Sequence, residues 1–540
     1  MTAGRLAGAA PVALALGAGL LQAWSVAWPW GLELAPWLRR GEPAGWLQVA
    51  SLAVAVSLLA RSPHARALLL RALAFASAWL AAVFAWLYTS MHVYGGMAAP
   101  LAAAAVLLLA LFLALDYALV AWLWWRWRPV APWAAALAFA AAWTLAELAR
   151  GVLWTGFPWG AGGYAQVEVL GGLAPWLGVY GLGALAALAA AWLALARGVA
   201  WLAGAAVVAL AWGWPGSGAW LQAHLPQTTQ PAGWLPVRLL QGAIPQDEKF
   251  DTERGIERAL RWYGQALVRA AQTPQLAGGL VVAPETAIPL LPQDVPADYW
   301  AELAGAIRQG QAAVLMGLPL GSLAEGYTNS VVGWRPGAAP QGGPHAAARA
   351  DYRYDKHHLV PFGEFVPPGF RWFVDLMVMP MGDFERGALP QRALDWGGQR
   401  IAPHVCYEDL FGEELAAAFR EPAQAPTVLV NVSNIAWFGD GVAIDQHRGI
   451  ARLRALELGR PMLRATNTGA TAAIDHRGRV LAELPRGVPG ELDAVVQGRQ
   501  GLTPYARWAS RWGLAPVAAV ALLLWALALG AGARPRRVGP

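Results

Sequence analysis

The chain has 540 residues, 40 of them Lys or Arg and 34 Asp or Glu, so 14% are charged, against roughly 25% in an ordinary soluble protein. Apolar types reach 57%, and 31 residues are tryptophan, which excludes both a disordered chain and a single soluble globular domain. The net charge of +6 comes from arginines scattered through loops rather than from a basic patch, which argues against a nucleic-acid partner.

The charge is unevenly spread. Residues 1–214 hold 15 charged residues, about 7%, and the other 326 hold 59, about 18%. The first part reads as membrane and the second mostly as a water-soluble domain. A helix needs about 17–25 apolar residues to cross a bilayer. Runs of that character fall near 8–24, 45–60, 66–88, 98–124, 131–150, 173–196 and 199–214, with one more near 512–531. The 45–60 and 199–214 runs are short, and segment 26–38 is too short and Pro-broken to cross alone. Arg5 ahead of the first run gives it the look of a signal peptide, but the many spans that follow make it the first transmembrane helix.

One set of loops carries Arg5, Arg61 and Arg66, Arg126 and Arg128, Arg197, and Arg534, Arg536 and Arg537; Arg39, Arg40 and Arg150 are exceptions. This bias puts both termini in the cytoplasm. The expected organisation is a bundle of about seven spans over 1–214, an outer domain over 215–510, and a last transmembrane helix with a cytoplasmic tail over 511–540. In a Gram-negative cell that is a multi-pass inner-membrane protein with its soluble domain in the periplasm. Asp116 and Glu147 fall in or beside spans, where ionisable groups are costly; they either pair with Arg and face the bundle interior or serve function.

From 235 to 500, short β-rich runs alternate with helical stretches. Strands are expected at 237–241, 279–284, 312–317, 400–406, 427–433 and 471–475, and helices at 251–272, 297–309 and 442–459. Strands apolar almost throughout, separated by helices, argue for sheets covered by helices.

The rarest residues stand where strands end. Glu285 follows GLVVAP, between Pro284 and Pro289. Lys356, one of only two lysines against 38 arginines, lies in YDKHHLVPFGEFVPP, with Glu364 eight residues on. Cys406 is the single cysteine, so the chain has no internal disulfide, and Tyr407, Glu408 and Asp409 follow it. A thiol, a carboxylate to take its proton and an ammonium to hold an oxyanion are the parts of nucleophilic acyl chemistry. Taken singly, each has a plain structural reading: a buried thiol, a turn carboxylate, a surface cation.

The strings PETAIP, DKHHLVPFGEFVP and CYE resemble the Glu–Lys–Cys segments of the nitrilase, or carbon–nitrogen hydrolase, superfamily. TGFPWG (155–160), QGAIPQ (241–246), SNIAWFGD (433–440), the run 452–480 and GLTPYAR (501–507) extend the resemblance to its membrane branch, the apolipoprotein N-acyltransferases, over nearly the whole chain. The resemblance implies a polytopic α-helical membrane domain plus an α/β nitrilase-like αββα sandwich. It implies Glu285 as general base, Lys356 as oxyanion stabiliser and Cys406 as nucleophile, with Glu364, Tyr407 and Glu408 in support. The activity implied is transfer of an acyl chain from a phospholipid to a diacylglyceryl-modified apolipoprotein among membrane lipids, with no metal or cofactor.

The family's functional Trp after a Lys is here Lys249-Phe250, a smaller ring without an indole N–H. Its usual Asp in SNIAWFGD is here Ile435. Glu364 has a second reading as a cap of the PFGEF turn. Trp437 and Phe438 are either core or acyl-chain contacts, and Arg452, Arg454 and Glu457 have the spacing of structural ion pairs. Three rivals remain open: a membrane-tethered amidase or nitrilase with water as acceptor, a Cys–His pair using His404, and a transporter with a periplasmic binding domain.

Overall fold

The computed structural model describes residues 2–31, 37–338, 350–376 and 383–531. Arg534, Arg536, Arg537 and part of the 26–38 segment lie outside the described residues. The chain divides into two compact units, one made of Met1–Tyr88, Ala98–Pro226 and Trp512–Pro540, the other of Thr89–Met97 and Gln227–Arg511.

In the first unit, helices Thr2–Val26, Gly45–Ala60, Ala65–Val83, Ala99–Trp127, Pro132–Val152, Ala174–Leu195, Gly198–Gly213 and Ala515–Gly530 each overlap one apolar run. Among the described residues five helices are long and apolar enough to cross a membrane, or up to seven if each of two bent helix pairs is one span. Four of them start with Pro at the first or second position, where the missing N–H leaves no bond unmade. Small residues let backbones approach: a Cβ on Gly19 would stand 2.2 Å from the Phe75 carbonyl oxygen, so only glycine admits this contact between Thr2–Val26 and Ala65–Val83.

Glu147 takes the paired, inward-facing option. It accepts from the Tyr117 hydroxyl (2.5 Å) and the Gly162 N–H (3.0 Å), and Arg150 lies 3.6 Å away. Arg150 in turn donates to Tyr117 and to the carbonyls of Phe157 and Trp159. Asp116 is only partly buried.

The second unit contains two six-stranded sheets. The strands are β1 (Gln230–Gln241), β2 (Leu280–Val282), β3 (Ala313–Ser322), β4 (Gly326–Trp334), β5 (Tyr352–Asp355), β6 (Leu394–Trp396), β7 (Gln399–Val405), β8 (Val428–Ser433), β9 (Met462–Thr466), β10 (Ala472–Ile474), β11 (Val480–Glu483) and β12 (Gly490–Gln500). Their orders are β12-β1-β2-β3-β4-β5 and β11-β10-β9-β8-β7-β6. Each sheet has three parallel strands at its heart (β1, β2, β3 and β7, β8, β9) with antiparallel strands on both sides.

Alternation along the buried strands explains the layers. Val237, Leu239, Leu280, Val282 and Leu315 pack with Ile401, Val405, Val428, Val430 and Val432 in one core between the sheets. The intervening Leu240, Val281, Val314 and Met316 face helices Glu257–Ala271 and Ala297–Gln309. On the other sheet Leu429, Met462, Ala472 and Ile474 face helices Val442–Leu458 and Pro504–Trp512. Helices therefore cover both outer faces, the αββα sandwich. The expected 251–272 helix begins only at Glu257, after a π-turn over Thr252–Ile256.

Replacing Glu147 by Leu strips a buried guanidinium of its carboxylate. Thermal unfolding in detergent should show a loss of about 3 kcal/mol, most of it recovered in Glu147→Leu/Arg150→Met.

Candidate active site

The site lies within the second unit, at the ends of β2, β5 and β7. Glu285 sits three residues beyond β2, in a turn that presses on β3: a Cβ on Gly317 would be 2.6 Å from the Glu285 Cα and 2.8 Å from the Pro284 oxygen. Thr286 takes a positive φ of 51° to turn the chain there. Lys356 follows β5, its N–H still donating to Asn329 of β4 (2.8 Å). Cys406 follows β7 and opens the 3-10 turn Cys406–Leu410 with φ at 50°, a strained value for a non-glycine residue of the kind found at functional turns.

Glu285 and Lys356 form one buried charge cluster with Glu364. The Lys356 ammonium is 2.9 Å from a Glu364 carboxylate oxygen and 3.7 Å from Glu285 Oε1. One amide group, Asn329 Nδ2, donates to both carboxylates at 2.7 Å. The Asn434 N–H completes Glu285 at 2.8 Å, and the Val360 N–H donates to Glu364 at 2.8 Å. Glu364 thus caps its own turn and also joins the cluster.

Burial opposes the Lys356 charge, but Glu364 and Glu285 outweigh it and hold its pKa above the usual lysine range. Burial, and next Glu285, push the Cys406 thiol up to about 12, against the opposing pull of Lys356. The resting sulfur is therefore a thiol and needs a base to become a nucleophile.

Glu408 joins two of the segments. Its carboxylate accepts from Val405 N–H (2.6 Å) before the Cys406 turn, from His357 N–H (2.7 Å) after Lys356, and from the Tyr354 hydroxyl of β5 (2.9 Å). Tyr407 is buried edge-on against Phe411 and near the His358 ring.

Phe250 is 44% exposed and 6.3 Å from Trp437, whose ring also meets Tyr94 edge-on at 6.0 Å. Lys249, beside Phe250, is buried with Nζ 3.5 Å from the Glu285 carbonyl oxygen, and burial pulls its pKa down to about 7. Ile435 is core, set against Gly469. Arg454 pairs with Glu457 at 2.9 Å, whereas Arg452 bonds the Gly478 carbonyl.

His404 does not share a face with Cys406 as strand alternation suggests, because β7 ends at Val405 and the positive φ at 406 breaks the alternation. Its Nε2 bonds Asp409, which also takes Arg464 at 2.9 Å. Sequence reasoning passed over Asn329 and Asn434; for Asn434 the polar residues following the otherwise apolar β8 were the available signal.

The family profile described as apolipoprotein N-acyltransferase N-terminal domain matches residues 40–192, and that of carbon-nitrogen hydrolase matches 237–501. An apolipoprotein N-acyltransferase of Verminephrobacter eiseniae is 51% identical, covering 93% of this chain and 92% of its own. The chain belongs to the apolipoprotein N-acyltransferase family. A second member, from Ralstonia nicotianae, is 48% identical over 92% of this chain and 90% of its own. Among solved structures, an amidase from Nesterenkonia sp. matches at 20% identity and TM-score 0.35, covering 53% of this chain and 95% of its own.

Two outcomes test this geometry. Glu408→Gln sets an NH₂ group against N–H donors in a buried position and should lower stability by about 1–3 kcal/mol in thermal unfolding. His447 donates Nε2–H to the Cys406 carbonyl while its Nδ1 accepts from Arg464. Burial and Arg464 push its pKa down to about 3, from 6.5 in a free histidine. The unfolded chain therefore binds a proton that the folded site refuses. This contribution to stability is complete above pH 6.5 and is lost as pH falls toward 3. His447→Gln should flatten that acid limb in melting curves.

Proposed function

We propose that the protein transfers a fatty acyl chain from a phospholipid to the α-amine of the diacylglyceryl-cysteine of an apolipoprotein, by way of a thioester on Cys406. Family membership makes it a membrane N-acyltransferase. The arginine bias of its loops supports the inner membrane of a Gram-negative cell as its location, with the spans in 1–214 and 511–540 and a catalytic domain over 215–510 facing the periplasm.

The observation that carries the reading is the convergence of the buried Glu285 and Lys356 with the partly buried Cys406 thiol in one cluster. Glu285 takes the thiol proton as sulfur attacks the ester carbonyl. Lys356 and neighbouring N–H groups stabilise the oxyanion. The carbon–oxygen bond breaks, the proton passes to the departing lysophospholipid oxygen, and a thioester remains. The second substrate's α-amine, with an unperturbed pKa of about 7.7–8.0, then attacks. Glu285 removes an amine proton, the amide forms, and the sulfur leaves. Glu364 holds the ammonium of Lys356 in place, Glu408 and Tyr407 fix the turn, and Phe250 with Trp437 offers an aromatic surface to an acyl chain. Water must be kept from the thioester, or the product is a free fatty acid.

Intact-mass measurement after mixing with phospholipid should show an acyl-sized increase on Cys406 that a diacylglyceryl peptide discharges. Cys406→Ala should abolish it, and Glu285→Gln should slow transfer by about 10²–10⁴. Release of free fatty acid with no N-acylated peptide would favour the hydrolase, and transfer surviving in Cys406→Ala would overturn the reading.

A further inference from the structure

Asn431 stands in the middle of β8, the one polar residue between Val428 and Val432. It is fully buried, and its Nδ2 donates to the Cys406 carbonyl oxygen at 3.2 Å. Its Oδ1 meets no donor among the described residues, so that single N–H is all the amide contributes. A second donor reaches the same oxygen from helix Val442–Leu458. His447 Nε2 lies 3.2 Å from it, and a guanidinium nitrogen of Arg464, on β9, stands 3.0 Å from the other ring nitrogen. A guanidinium has only donors, so Nδ1 accepts, the proton sits on Nε2, and the ring points an N–H at the carbonyl. Nε2 is also 3.4 Å from Asp409, which holds Arg464 at 2.9 Å and takes His404 as well. Asp409 belongs to the same 3-10 turn as Cys406. The contacts therefore close a ring, from the turn through Asp409, Arg464 and His447 back to the Cys406 carbonyl. What the ring grips is the peptide beside a strained residue. The φ of 50° at Cys406 persists only where the surroundings over-determine it.

We infer that Asn431 and His447 are positioning residues for acyl transfer: gripping the Cys406 carbonyl from two sides, they hold the backbone turn that aims the sulfur at the substrate carbonyl. The inference rests on Cys406 as nucleophile. The direction of the Cα–Cβ bond that carries the sulfur is set by the backbone at 406. One hydrogen bond to the carbonyl would let the peptide pivot about it; two, from a strand and a helix, fix its plane. Attack needs the reacting atoms aligned at about 3–3.5 Å. The hydrogens concerned are spent on a backbone oxygen of the protein, so their loss is felt in the chemical step rather than in the binding of lipid.

Rapid mixing of the full-length protein in detergent with dipalmitoyl phosphatidylethanolamine, followed by intact mass, separates how many sites load from how fast they load. Asn431→Leu keeps the volume and loses the donor. Its rate constant for loading Cys406 should fall about 10- to 100-fold, while the final loaded fraction and the lipid concentration giving half the maximal rate stay within about twofold of the parent. His447→Phe should be slowed similarly, and His447→Gln, which sets an amide N–H where the Nε2–H stood, should recover most of the rate. Both replacements take away Nδ1, so a general disturbance of the core would slow them alike; the difference between them reports the carbonyl bond. A merely structural role would lower the loaded fraction and leave the rate constant of the remaining sites as it was. That result overturns the inference, as does equal slowing in His447→Phe and His447→Gln. Should Asn431→Leu not fold, Asn431→Ser carries the same expectation, its hydroxyl ending a bond short of the carbonyl. If the parent loads no acyl group, or Cys406→Ala still transfers one, the nucleophile reading fails and the inference falls with it. Loading of Cys406 at an unchanged rate in Asn431→Leu overturns the inference alone.

Discussion

A single ammonium shared by two buried carboxylates is the constraint around which the second unit is arranged. Lys356 neutralises Glu364 and leaves Glu285 as the surplus negative group, held by Asn329 and the Asn434 N–H. Ionising the neighbouring thiol would put a second negative charge into the same space. Moving the thiol proton onto Glu285 creates no new charge; it relocates one from oxygen to sulfur beside the same cation. That is why a thiol pushed up to about 12 suits this site. In the reaction proposed here the sulfur would stay inert until a substrate carbonyl is there to accept its electrons, which limits wasteful reaction with water or oxidants.

The sandwich exists to hold that cluster at fixed spacing. Glu285 and Lys356 come from β2 and β5 of one sheet, Cys406 and Asn434 from β7 and β8 of the other, and the apolar core between the sheets sets the distance between them. Side chains at loop ends would drift without ties across the two sheets. Glu408 supplies one, bonding main-chain N–H groups on both sides of it, and Asn434 supplies another by joining Glu285 to Gln246. A buried carboxylate accepting several N–H bonds is rigid because every alternative position leaves donors unmet.

The parts of this fold that were legible in the sequence are those where burial is two-sided. The apolar runs at 237–241, 312–317, 400–406 and 427–433 mark central strands, and the ends differ from the observed strands mainly because pairing extends into polar residues. β4, β5, β6, β9, β11 and β12 were not legible. Most are short, or half-exposed like β12, or carry a buried charge like Arg464 in β9, and β4 sets Thr328, Asn329 and Ser330 ahead of its apolar end. Glu285, Lys356 and Cys406 could be picked out by rarity or by place after a strand. Asn329 could not, because asparagine is common in turns and its value here comes only from partners that other segments bring to it.

The lysine count carries a further physical lesson. With 38 arginines against two lysines, positive charge elsewhere in the chain is almost always a guanidinium, including in buried pairs such as Arg454–Glu457. Both lysines end at Glu285: Lys356 Nζ beside its carboxylate, Lys249 Nζ at 3.5 Å from its carbonyl oxygen. A guanidinium is a wide planar fork that matches a carboxylate two atoms to two. Around Glu285 the carboxylate oxygens are already taken by Asn329 and the Asn434 N–H, so no edge remains for a fork to grip. A compact ammonium can approach from the side, bond Glu364 and leave room for a substrate oxygen. The arginine bias thus ends where a planar cation would collide with the hydrogen bonds that hold the carboxylate.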